Sequence, residues 1–295
     1  ETPEEGGDLT VTALYTSATW SWAGFKGAEL FALGAARWVF RVTNVFLGLS
    51  RLLRPSFPSL RHGLAQRHAM FDRIVATSGC QRVLELASGL SRRGAALAGD
   101  PALEYVELDL PAMVGHKVQL LERSDAGRAV LARPNHRIVA GDATETDLDG
   151  LMPGPGAVVV LAEGLLMYLD ADAQRALWAR IAALVAARPG SAFAFDLVPV
   201  AEQPPPGRVG RFLERLMKRF TKGQSFDRDP RDRHVIRQEL LDLGFPRVEL
   251  LEPRDVGEAW GLPYLKVPTQ QLLFYCPPSG GSVRASASGR QTPRR

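Results

Sequence analysis

Two rhythms of apolar residues divide the chain. Residues 9–76 show no strand-like alternation and read as several helices, rich in aromatics: Tyr15, Trp20, Trp22, Phe25, Phe31, Trp38, Phe40 and Phe46. From residue 82 the pattern changes to short apolar runs, RVLELA (82–87), EYVELD (104–109), RIVAGD (137–142), AVVVLAEG (157–164) and SAFAFD (191–196). Helix-compatible stretches separate them. The clearest spans 170–187, where Leu177, Ile181, Leu184 and Val185 form a stripe at helical spacing and Asp170 can cap the start. A Pro-rich break at 204–206 precedes a basic amphipathic stretch, RFLERLMKRF (211–220), read as a solvated face over packed Phe212, Leu216 and Phe220, with a cover over the pocket or a contact to an anionic membrane surface as alternatives. A helix near 231–243 and strands at 246–252 and 269–276 complete the pattern.

Near-continuous apolar strands alternating with helices predict a mostly parallel sheet of seven strands covered on both faces. The expected organisation is a helical cap over 1–76, a doubly wound α/β domain over 77–276, and a disordered tail over 277–295. In such a sheet a ligand binds beyond the carboxyl ends of the strands, so chemistry is sought there.

Charge changes this picture little. The net charge is +4, and the tail, with four arginines and no acid, accounts for all of it. The remainder is neutral, which argues against nucleic acid as a partner. The apolar region 9–53 is broken by Lys26, Glu29, Arg37, Arg41 and Arg51, so no membrane span is expected. Cys80 and Cys276, the only cysteines, have no metal-ligand spacing, and no metal is expected. With no leader pattern visible, these features read as reduced thiols in a cytoplasmic protein.

The strand ends carry acids: Glu85 before the turn at Gly89, then Asp109, Asp142, Glu163 and Asp196. A single acid of this kind is often solvated or caps a helix. An ordered set after successive strands instead suggests a ligand rich in donors, such as a ribose diol, an adenine amino group or an ammonium. Asp109, about 20 residues beyond Gly89, stands where a ribose is gripped. A pyrophosphate would need more glycine than the turn LELASGLSRRG (84–94) provides, since Leu86, Ala87 and Ser88 fill the places concerned. S-adenosylmethionine, a nucleoside with an amino-acid tail and no pyrophosphate, fits better.

The segments RHAMFD (67–72), VLELASGLSRRG (83–94), YVELDLP with Lys117, and AEGLLMYL (162–169) resemble, in order and spacing, the leucine carboxyl methyltransferase family. TALYTSATW (12–20) is similar to the family's N-terminal cap segment. The resemblance implies a class I methyltransferase (Rossmann-like) α/β fold using S-adenosylmethionine as cofactor. It further implies that Arg67 holds the methionine carboxylate and that Ala87 and Gly89 form the turn under the methionine and ribose. Arg93 takes the place of the arginine that ends the family's loop, and it and Glu85 are expected to bind the cofactor with them. Asp109, with Leu110 beside it, takes the ribose, Asp142 and Ala143 the adenine, and Glu163 the methionine ammonium. The sequence departs from the family pattern at Ser91 and Arg92, where Asp and Thr are frequent, and at Trp20, near a position commonly basic. The second departure shifts the expected acceptor from a protein tail towards a small molecule.

Methyl transfer is a displacement at a carbon already activated by its sulfonium, so positioning supplies most of the rate. A carboxylate acceptor needs no general base; a phenol or alcohol would. Tyr168 is expected to position the substrate, and His68 and His116 to be surface or helix-flanking residues. Tyr15, Trp20 and Trp22 are expected either to wall the substrate pocket or simply to form the core of the cap. The expected function is O-methylation of a small molecule in secondary metabolism, foremost a carboxylate converted to its methyl ester. The rivals are a cofactor-binding partner protein without turnover and a nicotinamide-dependent dehydrogenase.

Overall fold

The computed structural model describes residues 11–53, 58–199, 202 and 231–278. The start of the expected cap, the amphipathic stretch 211–220 and nearly all of the basic tail lie outside the described residues.

Three helices come first: α1 (Val11–Ala23), α2 (Gly34–Leu53) and α3 (Leu60–Thr77), with a short 3-10 turn at Ala28–Phe31. The sheet and its helices follow as β1 (Arg82–Leu86), α4 (Arg93–Leu97), β2 (Glu104–Asp109), α5 (Pro111–Glu122), α6 (Asp125–Leu131), β3 (His136–Ala140), α7 (Leu148–Leu151), β4 (Val159–Ala162), α8 (Ala171–Ala186) and β5 (Ala192–Asp196). The last described elements are α9 (Arg233–Asp242), β6 (Glu249–Leu251), α10 (Pro253–Trp260) and β7 (Leu273–Cys276). All seven expected strands are present. The last two are shorter than their apolar runs: Pro246 has no amide proton to give to a ladder, and pairing of β5 with β7 begins only at Leu273.

The helix starts obey local chemistry. Asp170 caps α8 by accepting the Ala173 amide at 2.8 Å, Ser124 caps α6, and Asp232 caps α9. Pro111 opens α5, where a missing amide proton costs nothing.

The strand order is β3-β2-β1-β4-β5-β7-β6, parallel except for β7, which runs antiparallel to both neighbours. Chain direction across the sheet reverses between β1 and β4, so the crevice opens above their carboxyl ends. One face of the sheet packs Leu84, Val106, Val160 and Phe195 against Trp178 and Ile181 of α8 and Ile236 of α9. The opposite face packs Val83, Tyr105 and Leu161 against Met70, Phe71 and Ile74 of α3. A third core joins Trp20, Ala28 and Phe31 of the N-terminal segment to Leu90, Ala95, Leu120 and Val130. The first helices therefore share apolar contacts with the helices flanking β2.

The α3 side of the sheet also carries charge. Glu85 and Glu107 are register partners on β1 and β2, and both are buried. Each has its own cation: Arg93 pairs with Glu85, and Lys117 pairs with Glu107. His136 Nε2 lies 2.8 Å from the second oxygen of Glu107, and Phe31 covers the Lys117 ammonium. Burial alone would raise the Glu107 pKa; Lys117 and His136 overcome it and bring it down to about 2.

Candidate active site

The turn after β1 is shaped by two residues with left-handed backbone, Ala87 and Gly89, each at φ +51°. For alanine this conformation is strained by about 1 kcal/mol, and the neighbouring contacts hold it. The Ser88 amide donates to the Leu108 carbonyl at 3.2 Å, and the Gly89 amide donates to Asp109 Oδ2 at 2.5 Å. Asp109 Oδ1 accepts the Leu110 amide at 2.7 Å, while the Leu110 side chain is exposed. Burial pushes the Asp109 carboxyl up, opposed by these two amides. A Cβ added at Gly89 would meet nothing within 4 Å, so the space beside this turn is open.

Beyond β3, Asp142 folds back on its own loop and accepts from the Thr144 amide at 2.7 Å and from its hydroxyl at 2.6 Å. These two bonds, working against a small desolvation, hold its carboxyl below the usual range. Ala143 is buried. Arg180 of α8 clamps the same loop, donating to the carbonyls of Ala143 at 3.1 Å, Thr144 at 2.6 Å and Thr146.

Above β4 and β5 lies a dense ionic network. Arg67 of α3 bridges two acids, Glu163 Oε1 at 3.0 Å and Asp196 Oδ2 at 2.9 Å. Asp196 also accepts the Gly164 amide at 2.6 Å. Arg93 is fully buried and donates to Asp72 at 2.8 Å, to Glu163 Oε2 at 2.6 Å and to Glu85. The Tyr105 hydroxyl completes Glu85 at 2.6 Å. Burial raises the Glu163 pKa, but His68, Arg93 and Arg67 outweigh it and hold the carboxyl well below the carboxylate range. Burial pushes Glu85 and Asp196 up, and Arg93 and Arg67 respectively pull against it.

The structure thus joins Arg67, Glu85, Arg93 and Glu163 in one network and Gly89, Asp109 and Leu110 in a second. Asp142 and Ala143 form a third group after the neighbouring strand. Arg93 and Glu85 are committed to each other and to other protein groups, so they hold the acids of the site in place rather than pointing to open space. The expected aromatic walls separate. Trp20 stacks on His68, with ring centroids 4.6 Å apart and planes at 30°. Trp22 stacks on Tyr264 at 5.1 Å, and the Tyr15 hydroxyl donates to Asn44 at 3.3 Å. Tyr168 is 37% exposed on a 3-10 turn just after Glu163.

His68 corrects the reading of the sequence. It is completely buried, not a surface residue, because α3 turns it inward under Trp20. The sequence alone likewise does not mark Asp72 and Arg92 as site residues. The available signal was the i, i+4 spacing of His68 and Asp72, which puts both on one face of α3. Among the described residues, no group of three or more His, Cys, Asp or Glu side chains could hold a metal ion, and no helix is long and apolar enough to cross a membrane.

A seven-stranded sheet of this order with an antiparallel β7 is the class I methyltransferase fold. The same fold is seen in the crystal structure of a Thermobifida fusca protein named as a methyltransferase. The two superpose with a TM-score of 0.56 at 18% identity over 94% of this chain and 98% of that one. The leucine carboxyl methyltransferase family model matches residues 27–182, and the chain belongs to that family of S-adenosylmethionine-dependent methyltransferases. Relatives named as S-adenosyl-L-methionine-dependent methyltransferases occur in Mycolicibacterium vanbaalenii (37% identical over 145 residues) and Mycobacterium tuberculosis strain H37Rv (38% over 147 residues). Each match covers 46% of this chain, and the chain spans a little under half the length of these relatives.

Proposed function

We propose that the protein methylates a small-molecule oxygen nucleophile, foremost a carboxylate, with S-adenosylmethionine as donor. The observation that carries this reading is the row of carboxylates Asp109, Asp142, Glu163 and Asp196 at or just beyond the ends of β2, β3, β4 and β5, with Arg67 seated between the last two. The donor chemistry fits each part of the cofactor. Asp109 keeps lone pairs for ribose hydroxyls beside the open face of Gly89. Asp142 and Ala143 sit where the adenine edge would be read, and Glu163 and Arg67 offer a carboxylate and a guanidinium to the methionine ammonium and carboxylate. When bound, the cofactor supplies a methyl group already activated by its sulfonium.

The work left to this chain is to orient and to exclude water. Glu163, fixed by donors on both oxygens, presents negative charge without reorganisation. Tyr168, 37% exposed and just after β4, is the side chain that would orient the acceptor. A carboxylate acceptor is favoured because the imidazole built into this site, His68, is buried with Glu163 on one nitrogen and Arg92 on the other. It is in no position to take a proton from a phenol. An acceptor already ionised at neutral pH needs no such help.

Calorimetry with S-adenosylmethionine and its demethylated product tests the cofactor. Incubation with methyl-labelled cofactor and a panel of carboxylic acids and phenols, read by mass spectrometry, tests the acceptor. Micromolar binding and labelled methyl esters are expected. No binding at millimolar concentration would overturn the methyltransferase reading, and labelled phenol ethers without esters would overturn the carboxylate reading.

A further inference from the structure

Three charged groups converge on the two nitrogens of His68. Arg92 Nε lies 3.0 Å from Nε2, Glu163 Oε2 lies 3.0 Å from Nδ1, and an Arg93 Nη lies 2.9 Å from Nδ1. A guanidinium remains charged and only donates. Nε2, facing the Arg92 N–H, must therefore accept and carries no proton. The single proton of the neutral ring then sits on Nδ1, where Glu163 Oε2 receives it. The other tautomer would set two N–H groups against each other at Arg92 and deprive Glu163 of a donor. An imidazolium would keep the donor to Glu163 but set the same two N–H groups against each other at Arg92, and would add a third positive charge beside Arg92 and Arg93. With its proton on Nδ1 the ring offers no lone pair there, so the Arg93 Nη, which also donates to Glu163 Oε2 at 2.6 Å, meets the ring in contact rather than in a bond.

The surroundings of the ring extend this chain of contacts outward. Trp20 of α1 covers one face, and Phe25 meets the ring edge-on with centroids 5.3 Å apart. Arg92 lies over the Phe25 ring at 4.9 Å, donates to the Lys26 carbonyl at 3.3 Å and pairs with Asp72. The segment from Trp20 to Lys26 thus rests directly on the two residues that lead to Glu163.

We propose that His68 is a positioning residue. As the neutral Nδ1–H tautomer it aims the Glu163 carboxylate and couples that acid to the seating of the N-terminal segment through Trp20 and Arg92. The proposal rests on the reading of Glu163 as the acid that meets the methionine ammonium. Glu163 has its Oε1 fixed by Arg67, while Oε2 is fixed jointly by Arg93 and His68. Removing the His68 donor leaves one side of that oxygen free to rotate towards Arg93 and away from the ligand.

Two substitutions separate positioning from packing. In His68→Asn the side-chain amide N–H falls where Nδ1–H stood, so the bond to Glu163 survives. In His68→Gln the longer side chain reaches the Nε2 position, so the Arg92 bond survives and the Glu163 bond is lost. By calorimetry, His68→Asn should bind S-adenosylmethionine within about threefold of the wild type, and His68→Gln about tenfold more weakly. Equal losses in the two variants, or none in either, would overturn the proposal. Independently, long-range proton–nitrogen spectra of the wild-type imidazole should show the Nδ1–H tautomer unchanged over about pH 5 to 8. An Nε2–H tautomer or an imidazolium would overturn it even if every variant misfolds. Should the wild type bind no cofactor, the functional reading falls, and the spectrum alone decides how His68 is wired.

Discussion

The Gly89 amide donates to the Asp109 carboxylate at 2.5 Å, tying the turn after β1 to the acid ending β2 across 20 residues of sequence. Removing the carboxylate therefore loses a ligand group and also loosens a turn that holds Ala87 at φ +51°. Asp109→Ala should weaken S-adenosylmethionine binding at least about tenfold by calorimetry. Asp109→Asn, which keeps one acceptor oxygen, should fall between. Unchanged affinity in both would place the ribose elsewhere.

Arg67 presents a different case, because its loss leaves Glu163 and Asp196 short of their shared cation in a nearly dry site. Arg67→Ala should lower stability by about 3 kcal/mol, the usual consequence of orphaning a buried charge. Arg67→Lys restores the charge without the bidentate fork and should recover only part of it. Chemical denaturation of the three proteins checks both statements.

His68 gives the fold an acid limit. Burial, reinforced by the charge of Arg93, lowers its pKa from 6.5 to about 3, with Glu163 acting in the opposite direction. The groups facing the ring are Arg92, Arg93 and Glu163, with Trp20 and Phe25 against its faces and edge. Because the unfolded chain binds the proton more readily, this contribution is full above pH 6.5 and is lost as pH falls from there towards 3. Melting temperature should decline between pH 6.5 and 5 in the wild type, and less in His68→Asn. Parallel profiles would refute the assignment.

Gly94 sits against the Glu107 cluster. An added Cβ there would run into the Glu107 carboxylate and lie 2.6 Å from His136 Nε2, both buried. Gly94→Ala should cost about 3 kcal/mol of stability through overpacking and a displaced ion pair. A melting temperature equal to the wild type would show that the cluster is softer than its geometry.

Arg180 anchors the loop that carries Asp142 and Ala143 through three carbonyls. Arg180→Ala should speed hydrogen exchange at the amides of 142–147 and weaken cofactor binding severalfold without changing the exchange of β4. Exchange rates that stay put would mean the loop holds itself through Asp142 and Thr144 alone.

The strands and the acids at their ends were legible because both are local signals: apolar runs of strand length, with a carboxylate at or just beyond the ends of β2, β3, β4 and β5. Asp109, Asp142 and Glu163 stand where that pattern puts them. What the pattern does not contain is partnership. Nothing near Arg93 announces that it will meet Glu163, 70 residues away, or that His68 will meet the same acid across 95. Arg93 reads as a cation for a ligand and Glu85 as an acid for one, yet the fold spends each largely on the other. His68 illustrates the same point from a helix: a lone histidine in a charged stretch looks solvated until α1 is laid across it.

The pairing of Glu85 with Glu107 bears on how the chain finds its fold. Side chains alternate faces along a strand, so a slip of β1 or β2 by one residue would carry its acid to the opposite side of the sheet. There it would meet Leu84, Val106 and their apolar neighbours around Trp178, far from Arg93 and Lys117. An ionised carboxylate stranded in that layer costs several kcal/mol, more than a shifted row of leucines and valines would. Two central parallel strands, otherwise interchangeable runs of aliphatic residues, are thereby proofread by charge during assembly.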